Sequence, residues 1–200
     1  MDIIFIRHGQ TAGNALRRYI GSTDEPLSKI GQVALKSIPP FERIKKVYVS
    51  PLVRARQTAL HLFPNAAQIV VPELRETDFG DFENRSADDM ADDPDYRAWV
   101  DALCETPCPN GDDPALVKAR VCASVRAIVL TAYEMGEELI IIVAHGGTIM
   151  SAMERFSVPA RGFYDYSVRN LGGYRAHISI ENSAPVFTDA ISFTDISTVL

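Results

Sequence analysis

The stretch "IFIRHGQTAGN", residues 4–14, sets Arg7 and His8 side by side where an apolar run stops, and Gly9 follows them. A short run that is apolar on both faces reads as a buried strand. A buried strand gains nothing from two cation-capable groups at its end. Arg7 and His8 therefore point to a charged object that they are placed to meet.

Working outward, apolar and β-branched runs recur at 3–6, 47–49, 69–71 and 139–143, and each is expected to be a buried strand. Helical stretches lie between them. Ser28 can cap a helix running to Leu35, and Pro51 suits the first turn of a helix that reaches Leu62 before Pro64 stops it. Asp112 or Asp113 can cap a longer helix, with Pro114 inside its start and Gly136 after its end. Leu116, Ala119, Ala123, Ala127 and Leu130 trace an apolar face along it. Runs 174–180 and 186–191 alternate apolar and polar residues and read as edge strands. Strands alternating with helices predict an α/β three-layer sandwich, a mainly parallel sheet with helices on both faces.

Two hundred residues suit a single domain, 1–200, with room for a modest insertion. The insertion is expected at about 84–110, where Asp88, Asp89, Asp92, Asp93, Asp95 and Asp101 gather with Tyr96, Trp99 and Val100 at helix-compatible spacing. It reads as a small helical cap, with a solvated surface helix as the alternative. The net charge of −6 offers no general basic surface, so neither nucleic acid nor an anionic membrane is an expected partner, and any anion site must be local. No apolar run approaches a membrane span, and no export signal is visible. Cys104, Cys108 and Cys122 are odd in number and fit a reducing cytoplasm better than a disulfide framework or half a metal site.

Three strand ends carry unusual chemistry. The first ends in Arg7-His8-Gly9, the second in Ser50-Pro51 with Arg54 one turn into the next helix, and a later one in His145-Gly146-Gly147. In an open parallel sheet the carboxyl ends of the strands share one edge, where ligands bind. Arg7, His8, Arg54 and His145 can therefore converge, joined by the backbone N–H groups of helices that start there. Arginine forks match the paired oxygens of phosphate or carboxylate, and phosphate suits so many donors better.

These residues fall into five ordered motifs. Arg7-His8-Gly9-Gln10-Thr11 with Asn14 resembles the signature of the histidine phosphatase superfamily, which includes phosphoglycerate mutases. Ser50-Pro51-Leu52 with Arg54-Ala55 and Gln57-Thr58-Ala59, Gly21-Ser22-Thr23-Asp24 with Pro26-Leu27-Ser28 and Gly31, Leu74-Arg75-Glu76 with Asp78-Phe79-Gly80, and Val143-Ala144-His145-Gly146-Gly147 resemble its further motifs in the family's order. The resemblance runs from residue 3 to about 172. Two positions depart from the family pattern: Asn84 stands where a glycine is common, and Asp112 where a glutamate is common. Asparagine tolerates left-handed backbone, so the turn at 84 is expected to survive.

The resemblance implies a metal-independent phosphomonoesterase that uses no cofactor, with a small phosphorylated substrate as partner. His8 would be the nucleophile, forming a phosphohistidine, while Arg7, Arg54 and His145 would hold the phosphoryl oxygens. Asn14, Gly21, Ser22 and Gly146 would add donors around the phosphate. Glu76 would protonate the leaving oxygen and then activate water, with Glu83 as the second choice for that role. His61 and His177 fall in no motif and read as structural. The run from Leu74 to Gly80 is most similar to the α-ribazole phosphatase branch. A mutase that returns the phosphoryl group to another hydroxyl is the alternative; among the many aspartates of the insertion, Arg85 and Arg97 give it little support. A non-catalytic phospho-ligand binder would need neither His8 nor Glu76. A metal hydrolase built on His8 and His145 would place a cation beside Arg7.

Overall fold

The computed structural model describes residues 1–200. Strand β1 (Asp2–Arg7) buries Ile3, Ile4, Phe5 and Ile6 completely, on alternating sides of one six-stranded sheet of order β3-β2-β4-β1-β5-β6. β1 pairs in parallel with β4 (Leu139–Ala144), β4 with β2 (Lys46–Val49), and β2 with β3 (Ala67–Val70). β5 (Gly173–Glu181) runs antiparallel to β1, and β6 (Ala184–Phe193) antiparallel to β5.

Because side chains alternate along a strand, the sheet has two cores. Ile3, Phe5, Ile140 and Ile142 pack with α5 (Pro114–Glu134) and α6 (Gly146–Phe156) on one face. Ile4, Ile6, Ile141 and Val143 face the other way, against α2 (Lys29–Lys36), α3 (Val53–Leu62) and the chain's last residues. The expected α/β layers are present. Ser28 caps α2 through the Gly31 N–H, Asp113 caps α5 with Pro114 in its first turn, and Gly136 takes a φ of +69° just past its end.

Four expectations need correction. The run at 69–71 is not buried: β3 lies at the sheet edge, with Ile69 and Val70 open to solvent. Of the two later runs, β5 is interior to the sheet and only β6 is an edge. The helix after Pro51 starts at Val53, with Leu52 at its cap. The buried face of α5 is Val117, Val121, Val125, Ile128 and Ala132, whereas Leu116, Ala119, Ala123 and Ala127 are exposed. The two stripes share the helical spacing, and the valines supply the larger apolar area where the alanines have little to bury. One short helix, α1 (Ala12–Ala15), was not anticipated.

Segment 84–110 carries a 3-10 turn (Asp88–Met90) and α4 (Pro94–Asp101), capped by Asp93. Phe82, Met90, Trp99 and Cys108 form a small separate core, onto which Tyr19, Phe79 and Tyr96 pack. Asn84 adopts a φ of 62°, so asparagine does hold the left-handed turn.

Candidate active site

The carboxyl ends of β1, β2 and β4 lie side by side, because Arg7 registers with Ala144 and Val49 with Val143. Arg7, His8, Ser50 and His145 thereby reach one edge, and α3 and α6 start there. The two imidazoles are neighbours, with ring centroids 5.1 Å apart. His8 is 3% exposed, while Arg54 and His145 are fully buried.

The hydrogen bonds fix what each ring can do. His8 Nδ1 lies 2.7 Å from the Gly9 carbonyl, which can only accept, so Nδ1 carries the proton and Nε2 keeps its lone pair. Arg54 Nε donates to that Nε2 at 3.3 Å. Burial first, then the Arg54 and Arg7 charges, hold the His8 pKa well below 6.5, so the imidazole is neutral at neutral pH. His145 Nε2 lies 2.6 Å from Ser50 Oγ, and its Nδ1 is buried with no partner. If the Ser50 hydroxyl donates, His145 Nδ1 becomes an N–H donor waiting for an acceptor. Its pKa too is held well below 6.5, by burial first and then by the charges of His8, Arg54, Arg7 and Arg120.

Arg54 is aimed by a loop. Its Nη1 donates to the Thr23 carbonyl and its Nη2 to the Gly21 carbonyl, both at 2.7 Å. That loop is held in turn by Glu83, whose carboxylate accepts from the Gly21 and Ser22 N–H groups and from the Thr23 hydroxyl. Gly21 and Ser22 therefore turn their N–H groups to Glu83 and act on the pocket through the Gly21 carbonyl. A β-carbon on Gly21 would sit 1.7 Å from the Thr77 carbonyl oxygen, so only glycine lets the loop lie this close.

Arg7 donates to the Val168 carbonyl at 2.6 Å, and its Nε is buried without a partner. Burial lowers the pKa of both Arg7 and Arg54, with Glu76 opposing, yet a guanidinium stays charged. Neither is in a salt bridge. A buried Arg54 and a half-buried Arg7, held by carbonyls and by His8 Nε2 but by no carboxylate, leave an anion-shaped demand beside an unpartnered imidazole nitrogen.

Glu76 sits across from them, its Oε2 accepting from the Gly147 N–H at 3.1 Å at the start of α6. A β-carbon on Gly147 would lie 2.5 Å from Glu76 Oε1, so glycine is what lets the acid approach. Gly146 opens the same helix next to Arg7, where a β-carbon would make only ordinary contacts. Asn14 is fixed through its Oδ1, which accepts from the Thr11 N–H and from Asn170 Nδ2; this leaves its Nδ2 donors for a ligand. His61 meets the Ile38 carbonyl and His177 meets Asp2, both away from the site. No three His, Cys, Asp or Glu side chains are grouped so as to hold a metal ion.

Three pocket residues were missed in the sequence. Ser50 and Thr58 stood in one motif but were given no task, although the place of Ser50 at the end of β2 was a signal. Thr58, fully buried, joins the Gly9 N–H to the Arg54 carbonyl through its hydroxyl. Asn170 donates to the His8 carbonyl at 3.0 Å. It arrives because the antiparallel β5 begins at the edge where β1 ends, which parallel-sheet logic does not foresee.

The model of the histidine phosphatase superfamily (branch 1) matches residues 3–186. The chain belongs to the histidine phosphatase superfamily. Membership supports catalytic phosphatase activity, and this histidine phosphatase fold is consistent with metal-independent chemistry through a phosphohistidine. The chain is 30% identical over 179 residues to the adenosylcobalamin/alpha-ribazole phosphatase of Salmonella typhimurium, covering 84% of this chain and 86% of that one. It is also 30% identical over 133 residues to a probable phosphoglycerate mutase of Enterobacter sp. (strain 638), covering 62% of this chain and 61% of that protein's length. Among solved structures, the mycobacterial glucosyl-3-phosphoglycerate phosphatase in complex with VO3 superposes with a TM-score of 0.71 at 26% identity, over 93% of this histidine phosphatase and 95% of the other. The alpha-ribazole phosphatase of Shigella flexneri shares the fold, with a TM-score of 0.76 over 94% of each chain at 24% identity.

Proposed function

We propose that the protein hydrolyses a small phosphomonoester through a phosphohistidine on His8, with no metal or cofactor. One observation carries this reading: the lone pair of a buried, neutral His8 Nε2 lies among two arginines, Arg54 buried and Arg7 half-buried, that have no carboxylate partner. The entering phosphate takes over the Arg54 Nε–H that now caps Nε2, and so releases the nucleophile. His8 Nε2 then bonds to phosphorus while the P–O bond to the leaving group breaks, and Glu76 gives that oxygen its proton. Arg7, Arg54, the His145 Nδ1–H and Asn14 neutralise the phosphoryl oxygens. The Gly9 carbonyl holds the Nδ1–H as the ring takes positive charge. Water next attacks phosphorus, Glu76 accepts its proton, and the P–N bond breaks to return neutral His8 and inorganic phosphate. Glu83 is assigned a holding role and not proton transfer, a reading supported by its carboxylate's bonds to the Gly21–Thr23 backbone.

The single domain carries the 84–110 segment as a cap whose exposed acids discourage further negative charge on the substrate. Arg85 pairs with Asp93 and the exposed Arg97 with Asp92, so the insertion's own cations already face carboxylates and lend a phosphoglycerate carboxylate little support. Tyr96 and Trp99 are engaged within the cap core and are not offered to a ring on the substrate. Trp99 is 7% exposed inside the cap core, its Nε1 donates to the Thr106 carbonyl, and Tyr96 bonds Tyr19. The substrate class is a monophosphate with a neutral or cationic leaving group, for which α-ribazole 5'-phosphate is the candidate that the Salmonella relative's name supports. The free thiols Cys104, Cys108 and Cys122 accord with a cytoplasmic setting. No helix is long and apolar enough to cross a membrane. A panel of phosphomonoesters at low salt tests the reading. Neutral and cationic leaving groups should exceed phosphoglycerates in kcat/KM, and salt should narrow the gap. A preference for 3-phosphoglycerate would restore the mutase.

A further inference from the structure

Glu76 hangs on a segment with little regular structure of its own. β3 ends at Val70, a 3-10 turn covers Pro72–Leu74, and Glu76 follows with only its own carboxylate bonds to α6 and Thr77. Three successive carbonyls just before it are pinned from outside. Thr148 Oγ1 donates to the Leu74 carbonyl at 3.3 Å. Arg120, two turns into α5, takes the other two: one nitrogen, Nη1, donates to the Glu73 carbonyl at 2.6 Å and to the Arg75 carbonyl at 3.0 Å.

Resting on the phosphohistidine reading above, we propose that Arg120 is the positioning residue of the general acid, fixing where Glu76 stands relative to the leaving oxygen. A guanidinium suits this task because one planar group reaches two carbonyls and its long axis spans from helix to turn. The side chain is 15% exposed, so water competes little for these bonds. Its second nitrogen, Nη2, is buried with no hydrogen bond and faces Asp112 Oδ2 at 3.7 Å, an electrostatic contact only. Asp112 accepts from the Asp78 N–H on the far side of Glu76, so the charge contact links both flanks of the acid to α5. Arg120 makes no hydrogen bond to the phosphate-binding set and reaches it only through its charge near His145. Its loss should therefore be felt at the leaving group and not at the nucleophile.

The test compares single-turnover phosphoryl transfer from an alkyl phosphate and from p-nitrophenyl phosphate, whose phenolate leaves without a proton. Glu76→Gln serves as the reference and should slow the alkyl substrate far more than the aryl one. Arg120→Met should reproduce that selectivity, with a loss of about 10²-fold on the alkyl phosphate and less than about threefold on the aryl one. Arg120→Lys, which keeps a donor within reach of the carbonyls, should recover part of the alkyl rate. Combining Arg120→Met with Glu76→Gln should cost little beyond Glu76→Gln alone. Equal losses on both substrates, no loss on either, or additivity in the double variant would overturn the proposal. If Glu76→Gln itself is blind to the leaving group, the role of Glu76 fails and this inference falls with it. Thermal melting checks folding; should Arg120→Met not fold, the alkyl-to-aryl ratio of Arg120→Lys decides by the same criteria.

Discussion

At the pocket floor, His8, Ser50, Arg54, Thr58 and His145 are buried with Arg7 Nε and His145 Nδ1 left unpartnered. In the 84–110 segment the buried groups are Met90, Trp99 and Cys108, joined by Phe82 from just before it, and the polar atoms among the aromatic rings are paired, Trp99 with Thr106 and Tyr96 with Tyr19. The floor is a preorganised shortage of anion: its cations and donors are aimed before a substrate arrives, at a cost in stability. The cap is a small, self-satisfied core with acids outside. Damage to the floor should therefore cost chemistry, and damage to the cap should cost local stability while leaving the phosphoryl-transfer step alone.

The largest separation is expected at Trp99, which touches Tyr19 and Phe82 with ring centroids 5.5 Å apart in each case. Trp99→Ala should destabilise the cap by about 3–5 kcal/mol, read by hydrogen exchange over 84–110. Single-turnover transfer from p-nitrophenyl phosphate should stay within about threefold of the parent, since no phosphate ligand packs on the indole. A collapse of that rate would mean that the cap holds the floor in place.

Glu83 is the point where the two regions meet, following Phe82 in sequence and holding the loop that aims Arg54. Glu83→Gln should lower kcat by about 10- to 100-fold through a displaced Arg54, equally for alkyl and aryl phosphates. A loss confined to poor leaving groups would instead make Glu83 the acid.

The smallest effect is on pH. His8 and His145 are neutral in the fold with pKa values held well below 6.5, whereas in the unfolded chain they titrate near that value. Below about pH 6.5 the unfolded state binds more protons, so stability falls as pH falls and is fully present above. The slope should approach ~1.4 kcal/mol per pH unit for each histidine. Denaturation midpoints between pH 8 and 5.5 would show it, and His8→Asn should reduce the slope. A slope unchanged by that substitution would assign the loss elsewhere.

What the sequence revealed, and what it hid, follows the same division. Arg7, His8, Arg54 and His145 were legible because a polar pair at the end of an apolar run has no structural use, and parallel topology brings such ends together. The capped start of α5 was legible because Asp113 and Pro114 act locally. Its buried face was not, because alanine and valine stripes share one period and only packing chooses between them. The tasks of Gly21, Ser22 and Glu83 were hidden for a related reason. Which donor meets which acceptor depends on the approach of the 77–79 backbone to the loop, set by tertiary contact across about sixty residues. Asn170 and Arg120 reach the site from elements whose own sequences carry no chemical signal.

The central claim is covalent, and one measurement meets it directly. Rapid quenching of the enzyme with phosphorus-labelled substrate should trap one phosphoryl group per active chain, stable in base and labile in acid, and peptide mapping should place it on His8. His8→Ala, made in the same background, should trap nothing and lose turnover by about 10⁴-fold or more. An enzyme that turns over with no trapped phosphohistidine, or a His8→Ala variant that keeps a comparable rate, would contradict the account.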